Sequence, residues 1–205
     1  MQRFHGTIIP ATIAWPEVGS QYAGSIIVKP DSPITAVSDL KDKKGICVSM
    51  QTSAAGCLFQ MHHLQQKGMN PYKDTVLSVN PSQDKIVQSV LDSEADFGFV
   101  RMDHLQRMVN RGLLSSVDDL RVLEPVQSSD SPFPHTTRIY PGWAIAATAS
   151  TPDALTAAVQ EAALSISADS LADAEIEKFV PAADYTELDP VIDEMNLLQA
   201  GRQQS

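Results

Sequence analysis

From residue 45 to residue 126, short β-rich runs alternate with helix-patterned stretches, and no other feature constrains the fold as much. Residues 45–49 (GICVS), 75–79 (TVLSV), 96–100 (DFGFV) and 120–126 (LRVLEPV) read as strands. The stretch after the first carries Ala54, Cys57, Leu58, Met61 and Leu64 at helical spacing, and Gly68 with Pro71 stops it. A second helix starts at Pro81 and Ser82 with Ile86, Val87, Val90 and Leu91 as its stripe. The third, over 102–110, carries Leu105, Met108 and Val109 and ends at Gly112. Alternation of this kind predicts a mostly parallel sheet with helices on its faces and right-handed crossovers. Ligands of such sheets bind beyond the carboxyl ends of the strands. The turns to watch are therefore those holding Gln51 to Ala54, Asn80 to Gln83, and Arg101 to Asp103.

The flanks read differently. Residues 7–14 (TIIPATIA) are β-rich, but Pro10 lacks an amide donor and predicts an edge or interrupted strand. Residues 21–28 form a second candidate strand, and 37–41 a single helical turn. Residues 127–138 are a polar, proline-rich connection to a small-residue strand at 144–147. A helix then begins around Pro152 and runs to about Ile166, with Leu155, Val159, Ala162 and Ala163 as its stripe. Further helices are expected at 172–179 and 188–198. The expected division is one complete α/β lobe over 30–130, with 1–29 and 131–205 forming a partial second lobe and hinge.

The turn at Gln51, Thr52, Ser53 and Ala54 opens a helix, and two readings stand beside each other. Thr52 or Ser53 is a simple N-cap. Alternatively, the unpartnered first amides, the helix dipole and two hydroxyls form a seat for an oxyanion. Arg101 sits at a strand end, where it can grip an anion through two parallel donors or form a surface ion pair. Gln83 is a ligand group or merely a polar helix-start residue.

Several classes find no support. The net charge of −10 and the lack of a basic cluster beyond Lys41, Lys43 and Lys44 argue against nucleic acid. No apolar run approaches the roughly 20 residues of a membrane span, and no signal-peptide pattern is visible. No G-x-S-x-G, Walker or H-E-x-x-H motif is present, so no catalytic residue, metal or cofactor is expected. Asp96 reads as a candidate buried acid without a marked partner. His62 and His63 are adjacent and read as surface or boundary residues. Cys47 and Cys57 lack metal-ligand spacing and read as buried free thiols, with a disulfide as the alternative if strand and helix converge.

The segments 24–28 (GSIIV), 39–43 (DLKDK), 52–56 (TSAAG) and 95–101 (ADFGFVR) occur in an order that resembles the phosphate/phosphite/phosphonate-type periplasmic binding proteins. Residues 133–143 (FPHTTRIYPGW) resemble the branch of that family fused to sensor histidine kinases, including tetrathionate-type sensors. The resemblance runs from about Gly6 to Leu198. It implies an α/β, two-lobed Venus-flytrap fold of the periplasmic-binding-protein type, with one complete lobe and a truncated second lobe. It implies a small oxyanion as ligand and a periplasmic or extracytoplasmic location, with any membrane contact made by regions outside this chain. Carried over residue by residue, the ligand set is Tyr22, Gln51, Thr52, Ser53, Ala54, Gln83, Arg101 and His135. The family often has histidine where Gln83 stands. Family members also begin with strand-helix units that do not precede Gly6 here, which predicts either self-association, as a homodimer through the incomplete lobe, or a weakened site.

Overall fold

The structure is a computed structural model and describes residues 2–4, 7–126 and 131–195. The chain forms two compact units, Met1–Tyr22 with Ile139–Asp189, and Ala23–Arg138 with Pro190–Ser205. The first segment contributes β1 (Gln2–Phe4), β2 (Thr7–Ala14) and β3 (Gln21–Tyr22). The second unit holds β4 (Gly24–Val28), β5 (Lys44–Cys47), β6 (Val76–Val79), β7 (Phe97–Arg101) and β8 (Arg121–Val122). The chain then returns with β9 (Tyr140–Pro141), β10 (Ala144–Ala147) and β11 (Lys178–Pro181). Its helices include α1 (Phe59–Gln66), α2 (Gln83–Leu91), α3 (His104–Asn110) and α4 (Asp153–Ser165).

In the first unit β2 is central, not an edge. β10 pairs antiparallel along one side of it, and β1 and β11 share the other. Pro10 is accommodated because the β10 register slips between Ile145 and Ala147, so no ladder partner is required of it. Its carbonyl accepts a bond from Gln160 Nε2 at 2.7 Å. The helix expected at 172–179 is replaced by short helical turns, a left-handed Glu175 (φ 56°) and strand β11. Four registered pairs with β2, from Lys178↔Ala14 to Pro181↔Ala11, override the local helical pattern. Of the stripe read on α4, Ala163 is buried as expected, and the other three members are exposed. Thr156 and Ala163 are buried, whereas Leu155 is 55% and Val159 39% exposed and Ala162 is exposed.

The second unit is built on a five-stranded sheet of order β6-β5-β7-β4-β8. Strands β6, β5 and β7 are parallel, as the alternation predicts, while β4 runs antiparallel to both of its neighbours. The strand at 24–28, grouped with the flank in the sequence reading, is thus an interior strand of this sheet. The predicted strand at 120–126 is short. Only Arg121 and Val122 pair with β4, and Glu124 adopts a left-handed φ of 43° that breaks the ladder. Ile27, Ile46, Ile86, Val87, Val90, Val100, Leu105 and Met108 form one core between sheet, α2 and α3. His62 is buried at 2% exposure, not on the surface. Residues 189–195 are helical and bring Glu194 Oε2 within 3.2 Å of His62 Nε2. Burial nonetheless pulls the imidazole pKa down. Asp96 is exposed and caps the strand start by accepting from Lys44 N at 2.8 Å, so it is not a buried acid.

Candidate functional site

Parallel pairing of β6, β5 and β7 brings their carboxyl ends to one edge of the sheet. The three turns singled out in the sequence meet there. Gln83, at the start of α2, accepts the backbone amide of Arg101 through Oε1 at 2.7 Å. Loops two and three are thereby tied together. The first loop is joined to them from beneath by Gln60, which is fully buried on α1. Its Nε2 lies 2.7 Å from Ala55 O, 3.0 Å from Val100 O and 3.3 Å from Ser25 O. One side chain thus connects the turn to β7 and β4. Its Oε1 is buried and has no hydrogen-bond partner. Nothing in the sequence marks Gln60, because α1 also carries His62, His63, Gln65 and Gln66, and its polar pattern does not single out one buried amide.

The turn does not form a plain capped α-helix. Residues Ala54–Leu58 make a π-helical turn before α1 begins. Such wide turns are rare and recur at functional sites. Ser53 occupies the N-cap position in an extended conformation, and its side chain makes no capping bond. Thr52 Oγ1 donates to Ser49 Oγ at 2.9 Å instead of capping the helix. The π-turn's first amides therefore have neither an intrahelical acceptor nor a side-chain cap, and Gln51 and Thr52 are exposed beside them. Gly56 is needed here. A Cβ on it would stand 2.6 Å from Ser53 Oγ and 2.7 Å from Val48 Cγ2.

Cys47 and Cys57 form a disulfide, correcting the expectation of free thiols. The strand and the π-turn converge to a Cα separation of 5.3 Å, which a bridge requires.

Arg101 is already engaged. Its Nε and Nη2 donate to the two carboxylate oxygens of Asp103, the latter at 2.7 Å. Asp84 accepts from Arg111 Nη2 at 2.7 Å, and this bond keeps its carboxyl below the usual range. His104 Nε2 lies 2.9 Å from the same carboxylate, though not aligned for a hydrogen bond. Burial dominates for His104 and lowers its pKa to about 4.

His135 is 1% exposed. Its Nδ1–H donates to Thr137 O at 2.6 Å, and its backbone bridges Val126. It belongs to a strap laid along β4, in which Thr136 and Thr137 hydroxyls accept the amides of Ile26 and Gly24. Tyr22 lies in the first unit, paired with Tyr140 between β3 and β9. A cavity of about 370 Å³ lies elsewhere in the second unit, against Met102, Leu105, Leu120 and Phe133, and none of residues 51–54 lines it.

An α/β unit with three turns gathered at the carboxyl ends of its parallel strands has the architecture of the periplasmic-binding-protein fold. The family model for the ABC transporter, phosphonate, periplasmic substrate-binding protein matches residues 5–186, and the chain belongs to that family. No curated protein matches it. Among solved structures, the fold is shared with XAC2383 from Xanthomonas citri bound to ATP, at 15% identity and TM-score 0.74, over 96% of this chain and 72% of that one. It is shared with PhnD1 from Prochlorococcus marinus in complex with methylphosphonate, at 14% identity and TM-score 0.65, over 94% and 72%. A binding component of an ABC phosphonate transporter from Pseudomonas aeruginosa shows 17% identity and TM-score 0.63, over 97% and 63%.

Proposed function

We propose that this chain is an extracytoplasmic binding module for a small oxyanion of the phosphonate, phosphate or sulfur-oxyanion class. The uncapped π-turn that follows β5 carries the reading: no side chain caps its first amides, and the Thr52 hydroxyl exchanges its bond to Ser49 Oγ for one to the anion. Thr52, Ser53 and Ala54 supply the donors, and Gln51 borders them. Gln83 and Arg101 hold the adjoining loops in place, with Asp103 fixing the Arg101 guanidinium. His135 acts through the strap on β4. The charged groups at this edge pair with one another, which favours binding over acid–base chemistry on an anionic substrate.

The motif at 133–143 supports a role as the sensory domain of a two-component histidine kinase. The matching family supports the second reading, the solute-binding component of a transporter. Self-association over the exposed Leu155, Val159 and Ile166 of the α4 region belongs to the same proposal.

Isothermal titration with methylphosphonate, inorganic phosphate and sulfate tests the site. Hydrogen bonds to a charged group contribute about 1.5–3 kcal/mol each. Thr52→Ala/Ser53→Ala should therefore weaken the preferred anion at least about tenfold. Equal affinity in that variant would remove the turn as the site.

A further inference from the structure

The disulfide closes the loop that contains every proposed turn ligand. Cys47 is the last residue of β5, Cys57 lies within the π-turn, and both are fully buried. Between them the loop's other anchors are mostly bonds within the loop itself: Ser49 Oγ accepts from Gln51 N, Thr52 N and Thr52 Oγ1 at 3.4, 3.3 and 2.9 Å. Val48 N donates to Gly56 O at 3.0 Å, and Ser53 N to Ser49 O at 3.3 Å. Gln60 holds Ala55 O from below. Gln51 and Thr52 project to solvent. A π-turn is a less favourable backbone than an α-turn and persists only where its surroundings hold it. Donors to an anion act only when their geometry is already set, because ordering them during binding subtracts from affinity.

We propose that the Cys47–Cys57 disulfide is the positioning device for the anion turn, so that the module binds its ligand tightly only in the oxidised form. This inference rests on the proposed function. In the reduced chain the turn samples other shapes, and apparent affinity falls by the fraction still competent. Reduction by a dithiol breaks the S–S bond, leaves a thiol on each cysteine and converts the dithiol to its own cyclic disulfide. Full burial of both sulfurs makes the bridge a lasting clamp, opened only after local unfolding.

The test titrates methylphosphonate, inorganic phosphate and sulfate into the whole chain, oxidised and after complete reduction with dithiothreitol. Amide hydrogen exchange is followed in parallel. The expected result is a Kd at least about tenfold weaker after reduction. Exchange should rise at 49–58 while the amides of β4 and β7 stay protected, and reoxidation should restore affinity. Cys47→Ala/Cys57→Ala should show the weakened Kd with no response to dithiothreitol. Unchanged affinity after reduction overturns the inference and leaves the proposed function standing. Loss of protection throughout β4 and β7 also overturns it, since the bridge would then support the whole unit. Failure of the oxidised chain to bind any of the three anions overturns the proposed function together with this inference.

Discussion

Gly45 sits beside Phe97 in the parallel β5–β7 pair, and the ring lies across it. A Cβ built on Gly45 would stand 2.2 Å from Phe97 Cζ and 2.3 Å from Cε2. Ordinary carbon contacts fall at about 3.5–4.0 Å, so the methyl of Gly45→Ala demands a displacement of roughly 1.5 Å. The ring cannot swing outward, because Phe97 is fully buried and its centroid is 5.4 Å from that of Phe99. Overpacking of this kind costs about 1–3 kcal/mol, with this site at the upper end. Loss of glycine's backbone freedom returns roughly 0.5–1 kcal/mol. The net expectation is a loss of about 2 kcal/mol, read as a lower urea midpoint at unchanged m-value. Phe97→Leu removes the obstructing ring edge, so the double variant should be more stable than the sum of the two singles predicts, by about 1 kcal/mol or more. A midpoint for Gly45→Ala at or above wild type would refute the reasoning. So would strict additivity in the cycle.

Two further outcomes follow from buried groups. Thr136 Oγ1 accepts from Ile26 N at 3.0 Å and donates to Leu123 O at 2.8 Å. Thr136→Val keeps the shape and orphans both backbone groups, which should cost about 2–4 kcal/mol in the urea midpoint, whereas Thr136→Ser should cost far less. For His104, burial lowers the folded pKa from 6.5 to about 4. Between those values the unfolded chain holds the extra proton, so stability rises with pH there and is lost as pH falls. The lost contribution is on the order of 3 kcal/mol across that window. A His104→Phe variant with the same pH slope as wild type would remove His104 from the account.

The parallel half of the second unit was legible because each strand and helix carries its own local period, and alternation alone orders them. What depends on partners far along the chain was not. The direction of β4 is set by its pairing with β7 and β8, and nothing within residues 24–28 encodes it. Residues 178–181 become a strand because β2 offers them a ladder. Periodicity located the stripe on α4 but not what lies against it, and Leu155 and Val159 face solvent. At the turn, spacing could not decide whether Cys47 and Cys57 meet. The Ser/Thr pattern resembled a cap, yet Ser53 makes no capping bond. Gln60 was hidden by its neighbours, since four other polar residues share α1 and periodicity does not say which of them is buried.

The charge of the chain sharpens how an anion could be held. At a net charge of −10, the long-range field repels an anionic ligand and does nothing to steer it. The cation nearest in design to a ligand clamp, Arg101, has its charge answered by Asp103, a pair with side chains only 18% and 4% exposed. Stripping Asp103 from Arg101 would leave a buried carboxylate unpaired, at a cost of several kcal/mol. In the proposed reading the attraction therefore comes from neutral donors at contact distance: the first amides of the π-turn and two hydroxyls. Dipoles of this kind lose their effect within a turn's length and are sensitive to direction. A site built from them is only as good as the shape of its loop. That is why the residues that shape the loop without touching a ligand, Gly56, Gln60 and the Cys47–Cys57 bridge, should matter to affinity as much as Thr52 and Ser53 themselves.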